Sequence, residues 1–234
     1  MEEADVTFDM VDLKVKGWSE TGLKPSEAVS KDGLTVGVGG FGWNSFLDCL
    51  EIKIPGLHFG KKNRGRLTKD TEVFFGNFED LETFVPAKLT RRQVASKYAS
   101  IFDVLGKFGP ILIGAKLDLR RTFKMTDNWD SPMPADLRQC WIKNFWKWEQ
   151  LRGIQFSRAI MPEDALNTQM RLTAAVDMAE ECINVGVWAG FKRVNGEFSC
   201  QHLINRTILA AENCSIPKGE LEALTGGSNL CWLV

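Results

Sequence analysis

No two of the six cysteines (49, 140, 182, 200, 214, 231) stand in a C-x-x-C pair. That removes the usual zinc-ribbon and redox frameworks. Cys200, His202 and Cys214 are too irregularly spaced for a standard finger and lack a fourth ligand. In a reducing compartment the cysteines read as small buried residues. No apolar run approaches the roughly 18 uncharged residues of a membrane helix, so no membrane partner is expected. The acidic start Met1-Glu2-Glu3-Ala4-Asp5 lacks the apolar region of a secretory signal. An intracellular setting, cytoplasmic or nuclear, follows, and the sequons at Asn205 and Asn213 then carry no glycan. The formal net charge is −1, so nucleic-acid binding would have to rest on local patches. No G-x-x-x-x-G-K-[ST] phosphate loop is present. The one tyrosine, Tyr98, is not part of a Tyr-x-Asp-Asp turn. The Asp-Thr-Gly or Asp-Ser-Gly of an aspartic protease is also missing. Asp32-Gly33 has no residue between, and Asp130-Ser131 runs into Pro132.

What is present supports a folded chain, with 44% hydrophobic residues to build a core. The first third alternates. Val11, Leu13 and Val15 against Asp12 and Lys14 mark a half-buried strand, and Leu50 to Ile54 marks another that stops at Pro55. The glycines at 37, 39, 40 and 42 read as tight turns within a hairpin or small sheet. Lys61, Lys62, Arg64 and Arg66 form a compact basic loop. It is either a solvated loop or a contact to phosphate backbone. The middle third is helical. Thr90 and Gln93 have the form of a capping box, and Val94, Tyr98, Ile101, Phe102 and Leu105 mark one face of a helix ended by Gly106. Pro110 opens a second helix to about Phe123, with Lys116, Arg120, Arg121 and Lys124 on its exposed face. A third starts near Pro134, where Leu137, Trp141, Phe145, Trp148 and Leu151 recur at helical spacing as a core stripe. Trp146 falls off that stripe and is the better candidate for an exposed contact. The last third returns to strands: 172–182, 185–191 and 198–209. An Asn195-Gly196 turn joins the last two. A helix then begins near Pro217 and is interrupted around Gly226-Gly227. The fold class is α+β.

Two acids stand out. Asp177 closes the run Leu172-Thr173-Ala174-Ala175-Val176 on the first of these strands. Glu220 lies in the first turn of the last helix, where the helix dipole favours a carboxylate. A strand, a hairpin and a helix in this order bring the two together as half of a metal site for cutting phosphodiesters. Read without that idea, Asp177 ends a strand and Glu220 sits in a solvated turn.

The segment from Lys88 to Gly106, with its Ala-Ser-Ile-Phe-Asp-x-Leu-Gly block, resembles the region after the polymerase palm in Pol polyproteins of BEL/Pao-type retrotransposons. Trp129-Asp130-Ser131-Pro132-Met133-Pro134 and the Trp-rich helix after it resemble that family's connection. Arg171 to Asp177 with Ile216 to Glu222 is similar to the start of its ribonuclease H domain. The resemblance implies a reverse transcriptase palm end over 1–85, a helical thumb and connection over 86–160, and a partial ribonuclease H-like domain over 161–234. It implies Asp177 and Glu220 as two of about four acids that hold Mg2+. The other two lie on a later strand and helix, expected beyond Val234. Met178-Ala179-Glu180 departs from the small-residue run common after the first aspartate. As a Pol fragment the chain is expected to be inactive alone, to bind RNA–DNA hybrid through Lys61, Lys62, Arg64, Arg66, Arg120 and Arg121, and to self-associate through an exposed sheet edge. Part of this stretch is also catalogued as a Pao retrotransposon peptidase. A peptidase with an unlocated aspartate dyad, or a host-retained module for protein association, are the rival expectations.

Overall fold

In the computed structural model the described residues are 19–25, 30, 34–60, 62–63, 66–67, 72–166 and 170–233. The expected strand at 11–15 lies outside them. They divide into two compact units. One comprises the described residues of Met1–Lys53 with Gly153–Ile160; the other comprises those of Ile54–Arg152 with Met161–Val234.

In the first unit the glycine cluster makes a hairpin. Strands β1 (Val36–Val38) and β2 (Phe41–Asn44) pair with Val38 opposite Phe41. Gly39 and Gly40 turn between them at φ 55° and 89°, the left-handed backbone that only glycine adopts without strain. Strand β3 (Cys49–Ile52) pairs with β2. Gln155–Ser157, a strand that the sequence reading missed, pairs with β3 and completes a four-stranded sheet. Arg158 forks onto Asp48, with Nε to Oδ1 at 2.6 Å. The Arg158 guanidinium holds the Asp48 carboxyl below its ordinary range.

The second unit begins with a two-stranded hairpin, β4 (Lys62–Asn63) and β5 (Arg66–Leu67), and the strand at 155–157 becomes β6 in chain order. Helix α1 (Phe78–Phe84) also escaped the sequence reading, although Asn77 and Asp80 form a reciprocal capping box there. Helix α2 spans Arg91–Ala99, with the expected Thr90/Gln93 box at its start. It ends seven residues before Gly106. The Ser100 hydroxyl donates to the Lys97 carbonyl, and both Asp103 carboxylate oxygens accept backbone N–H groups, from Lys107 and Phe108. These side chains offer the backbone a loop in place of another helical turn, so Phe102 is exposed.

Helix α3 (Gly109–Met125) carries Pro110 in its first turn, and α4 (Ala135–Gln150) starts after Pro134. The predicted stripe is the core: Leu137, Trp141, Phe145, Trp148 and Leu151 are all buried. Phe145 and Trp148 meet edge to face at 5.3 Å, and the Trp141 indole N–H donates to the Thr122 hydroxyl at 2.9 Å. Trp146 is half-buried and packs edge-on against Phe78, 5.9 Å away.

Strands β7 (Arg171–Ala179), β8 (Cys182–Lys192) and β9 (Phe198–Leu209) form an antiparallel sheet in the order β7-β8-β9. The Asn195-Gly196 turn joins β8 to β9, with Gly196 at φ 87°. A bulge between Val187 and Trp188 shifts the β8–β9 register by one residue, the extra residue being Leu203. Helix α5 (Ile216–Leu233) runs through Gly226-Gly227 instead of stopping there. The glycines face the sheet. A Cβ on Gly227 would lie 2.8 Å from the Val176 side chain, and one on Gly219 would lie 2.4 Å from the Met178 sulfur. The pair therefore sets a close helix–sheet approach. Ile183, Val185, Val187, Ala189, Phe191, Ala223 and Leu230 fill the space between α5 and the sheet. The other sheet face receives α3, so helical middle and C-terminal sheet share one unit. Mixed α and β content is thus the fold class, as the sequence implied. Among the described residues no helix is long and apolar enough to cross a membrane.

Candidate functional site

The two acids flank one packing contact. Met178 lies beneath Gly219, Asp177 precedes Met178, and Glu220 follows Gly219. Strand and helix thus deliver both residues to one corner of the sheet, and both are exposed. Alternation along β7 turns Met178, Val176 and Ala174 toward α5 and Asp177 toward the opposite face. There Asp177 stands across from Asn184, and Asn184 across from Thr207. The Thr207 hydroxyl donates to the Asn184 amide oxygen at 2.9 Å. A polar file therefore crosses all three strands and ends at Asp177. Burial, followed by the neighbouring Glu181 and Asp177 carboxylates, pushes the Cys182 thiol up. Asn184 was not singled out in the sequence, and Asn205 and Thr207 stood out only as ends of a glycosylation sequon; the signal for this file is that all three are polar positions within apolar strands.

Mg2+ takes oxygen ligands in octahedral array and keeps several waters. Asp177 and Glu220 are the right donor type. Phosphodiester cleavage by paired ions needs more carboxylates than two. Among the described residues no group of three or more His, Cys, Asp or Glu could hold a metal ion. The two-ion site does not fit this donor set, and no chemical step is derived through it.

The basic candidates fall in two places. Lys61 and Arg64 lie outside the described residues. Lys62 and Arg66 lie on β4 and β5, so the hairpin backbone holds them on neighbouring strands, with Lys62 opposite Leu67 and Asn63 opposite Arg66. On α3, Arg121 is exposed and pairs with Asp118 at 3.0 Å. Arg120 is half-buried and donates to the Ala210 carbonyl at 2.7 Å. Lys124 pairs with Glu212.

Arg120 belongs to a group the sequence did not reveal. Lys107 donates to the His202 carbonyl and Lys116 to the Thr207 carbonyl. The Asn205 N–H donates to the Leu105 carbonyl at 2.8 Å. The outer border of β9 is therefore capped by the 103–109 loop and α3. Burial lowers both lysines, and burial raises Asp103 despite the backbone N–H groups on its carboxylate. Beside this border lies a cavity of about 360 Å³ lined by Tyr98, Asp103, Lys116, Asn205, Arg206 and Leu230, among others.

The two sequence blocks at 88–106 and 129–134 form one structure. Met133 N–H donates to the Leu89 carbonyl at 2.9 Å, and Arg92 N–H to the Trp129 carbonyl at 3.0 Å. The Arg92 guanidinium forks onto Asp130 at 2.8 and 2.9 Å. Arg91 is buried over the Phe123 ring, with its Nε donating to the Thr126 hydroxyl at 2.9 Å. Asp130, one of the two aspartates weighed for a protease, is thus an ion-pair partner; Asp32 lies outside the described residues.

Among known proteins, a family model described as the Pao retrotransposon-like RNaseH-like domain matches residues 90–234. No curated protein and no solved structure matches the chain.

Proposed function

Because this chain belongs to the Pao retrotransposon-like RNaseH-like domain family, we propose that it is a Pol-derived module that binds RNA–DNA hybrid without cutting it. The observation that carries this reading is the family match over residues 90–234. The corner of β7 and α5 holds Asp177 and Glu220 on either side of the Met178–Gly219 contact, but alternation turns Asp177 to the sheet face away from α5, and two carboxylates are too few to hold two ions. In this reading the α2–α4 region is thumb and connection, and residues ahead of it are the end of a polymerase palm.

Binding would rest on cations, since Lys and Arg neutralise phosphates without reading sequence. Lys62 and Arg66 of β4 and β5, with Lys61 and Arg64 beside them in the sequence, are the main contact in this proposal, with Arg121 as a second. Arg120 contributes less, since it is committed to the Ala210 carbonyl. Fluorescence anisotropy of labelled hybrid, measured from low to high KCl, tests this. The affinity should fall steeply with salt, and Lys62→Ala with Arg66→Ala should reduce the log–log slope by about 2. No binding at the lowest salt defeats the reading. With a labelled RNA strand and Mg2+, the chain should show no cleavage above that of Asp177→Asn. Mg2+-dependent cleavage lost in Asp177→Asn would overturn the non-cutting part.

A further inference from the structure

The cavity at the outer border of β9 uses none of the cations assigned to hybrid binding. It measures about 360 Å³, and its walls come from α2, the 103–109 loop, α3 and β9, with Leu230 of α5 at one end. Small-molecule sites of this size combine apolar walls with a few convergent polar groups. Leu112, Ile204 and Leu230 supply the apolar side here. Tyr98 also lines the cavity, and its hydroxyl makes no hydrogen bond among the described residues. Burial, followed by the Asp103 carboxylate, raises the Tyr98 phenol, so it stays a neutral hydroxyl.

The charges around this cavity do not balance. Two cations, Lys116 and Arg206, meet one carboxylate, Asp103. Both Asp103 oxygens already accept backbone N–H groups. The Lys116 ammonium gives one hydrogen to the Thr207 carbonyl, which leaves its other donors for a ligand. The Arg206 side chain is exposed, and its planar fork of donors has no hydrogen bond or ion pair among the described residues. Burial lowers the Lys116 ammonium, Asp103 offsets part of that, and Arg206 adds to it. An anion held by both cations would remove this repulsion and gain charge-assisted hydrogen bonds. The first turn of α3 lines the cavity at Gly109, where the helix dipole also favours negative charge.

We infer that the cavity binds a nucleoside monophosphate, with its phosphate between Lys116 and Arg206 and its base against the apolar wall. A phosphate monoester carries about two negative charges at neutral pH and several strong acceptor oxygens. The Arg206 fork and the Lys116 point charge suit such a group. Phosphate alone would leave the apolar wall uncovered, whereas an attached nucleoside covers it and brings hydroxyl and amino groups within reach of Tyr98. The same chemistry is offered by a free nucleotide and by the phosphorylated end of a strand. Because the hairpin cations take no part, loss of hybrid binding would not bear on this site.

Titration of adenosine 5′-monophosphate into the isotope-labelled full chain, followed in its amide spectrum, tests the inference. Saturable shifts are expected around Tyr98, Lys116 and Arg206, and none from adenosine, which lacks the phosphate. Arg206→Ala should weaken binding about tenfold or more. Arg206 is exposed, so this change should leave the fold intact, which circular dichroism checks. Tyr98→Phe keeps the ring and should weaken binding by a smaller factor. A short RNA with a 5′-phosphate, compared with the same RNA ending in a hydroxyl, separates the two sources. Preference for the phosphorylated end assigns the site to a strand terminus, and binding of the mononucleotide alone assigns it to a free nucleotide. No saturable binding of either phosphorylated probe overturns the inference. So does adenosine binding as well as its monophosphate, or an Arg206→Ala chain that binds like the wild type.

Discussion

Gly106 shows how much one residue decides. It sits at φ 64°, and a Cβ there would lie 1.8 Å from the Asn205 carbonyl oxygen. Left-handed strain and overpacking act together, so Gly106→Ala should cost about 2–4 kcal/mol, measured by urea unfolding. In the sequence Gly106 reads as a helix stop; its true task is to let the loop touch β9. That contact joins residues about a hundred positions apart, and no local pattern encodes it. His202 gives a pH signature. Burial, followed by the nearby Lys107 ammonium, holds its imidazolium below the ordinary value. The unfolded ring takes up a proton near pH 6.5, the folded ring only at lower pH. Below about 6.5 the unfolded chain therefore binds more protons, and stability falls until the folded ring titrates too. His202→Gln should flatten that fall. The difference between the two chains' stability curves, taken over this window, isolates the effect.

Elements with a strong local signal were legible from sequence. The Thr90/Gln93 box, the aromatic stripe of α4 and the Asn195-Gly196 turn each state their structure within a few residues. Thr90→Ala should therefore cost about 1 kcal/mol through loss of the cap, read from the thermal midpoint. Elements set by tertiary packing were not legible. Helix α2 stops early because Asp103 and Ser100 capture backbone groups, and α5 continues through two glycines because the sheet needs them small. The short strand at 155–157 lacks a period long enough to see. At the corner of β7 and α5, the strand of Asp177 and the helix of Glu220 were legible from sequence, but not the polar file Asn184–Thr207 or the basic caps on β9. Border exposure also predicts dynamics. In hydrogen exchange at dilution, β8 amides, paired on both sides, should exchange far more slowly than the outward amides of β7. Equal protection of the two strands in dilute solution would contradict the open border.

At the scale of the whole molecule, sequence distance separates the two sheets. β7, β8 and β9 follow one another through short turns. In the first unit β3 at Cys49–Ile52 waits for β6 at Gln155–Ser157. Pairings across long loops form late, because closure entropy comes before the contacts that offset it. Pulse-labelled exchange during refolding should show β8 amides protected before those of β3. The reverse order would mean that the four-stranded sheet assembles without its last strand. The uneven treatment of the β7–β9 sheet has a final consequence. A sheet open on both sides recruits neighbours without limit and grows into fibrils. With the outer border of β9 covered by Lys107, Lys116 and the 103–109 loop, this sheet offers no template on that side.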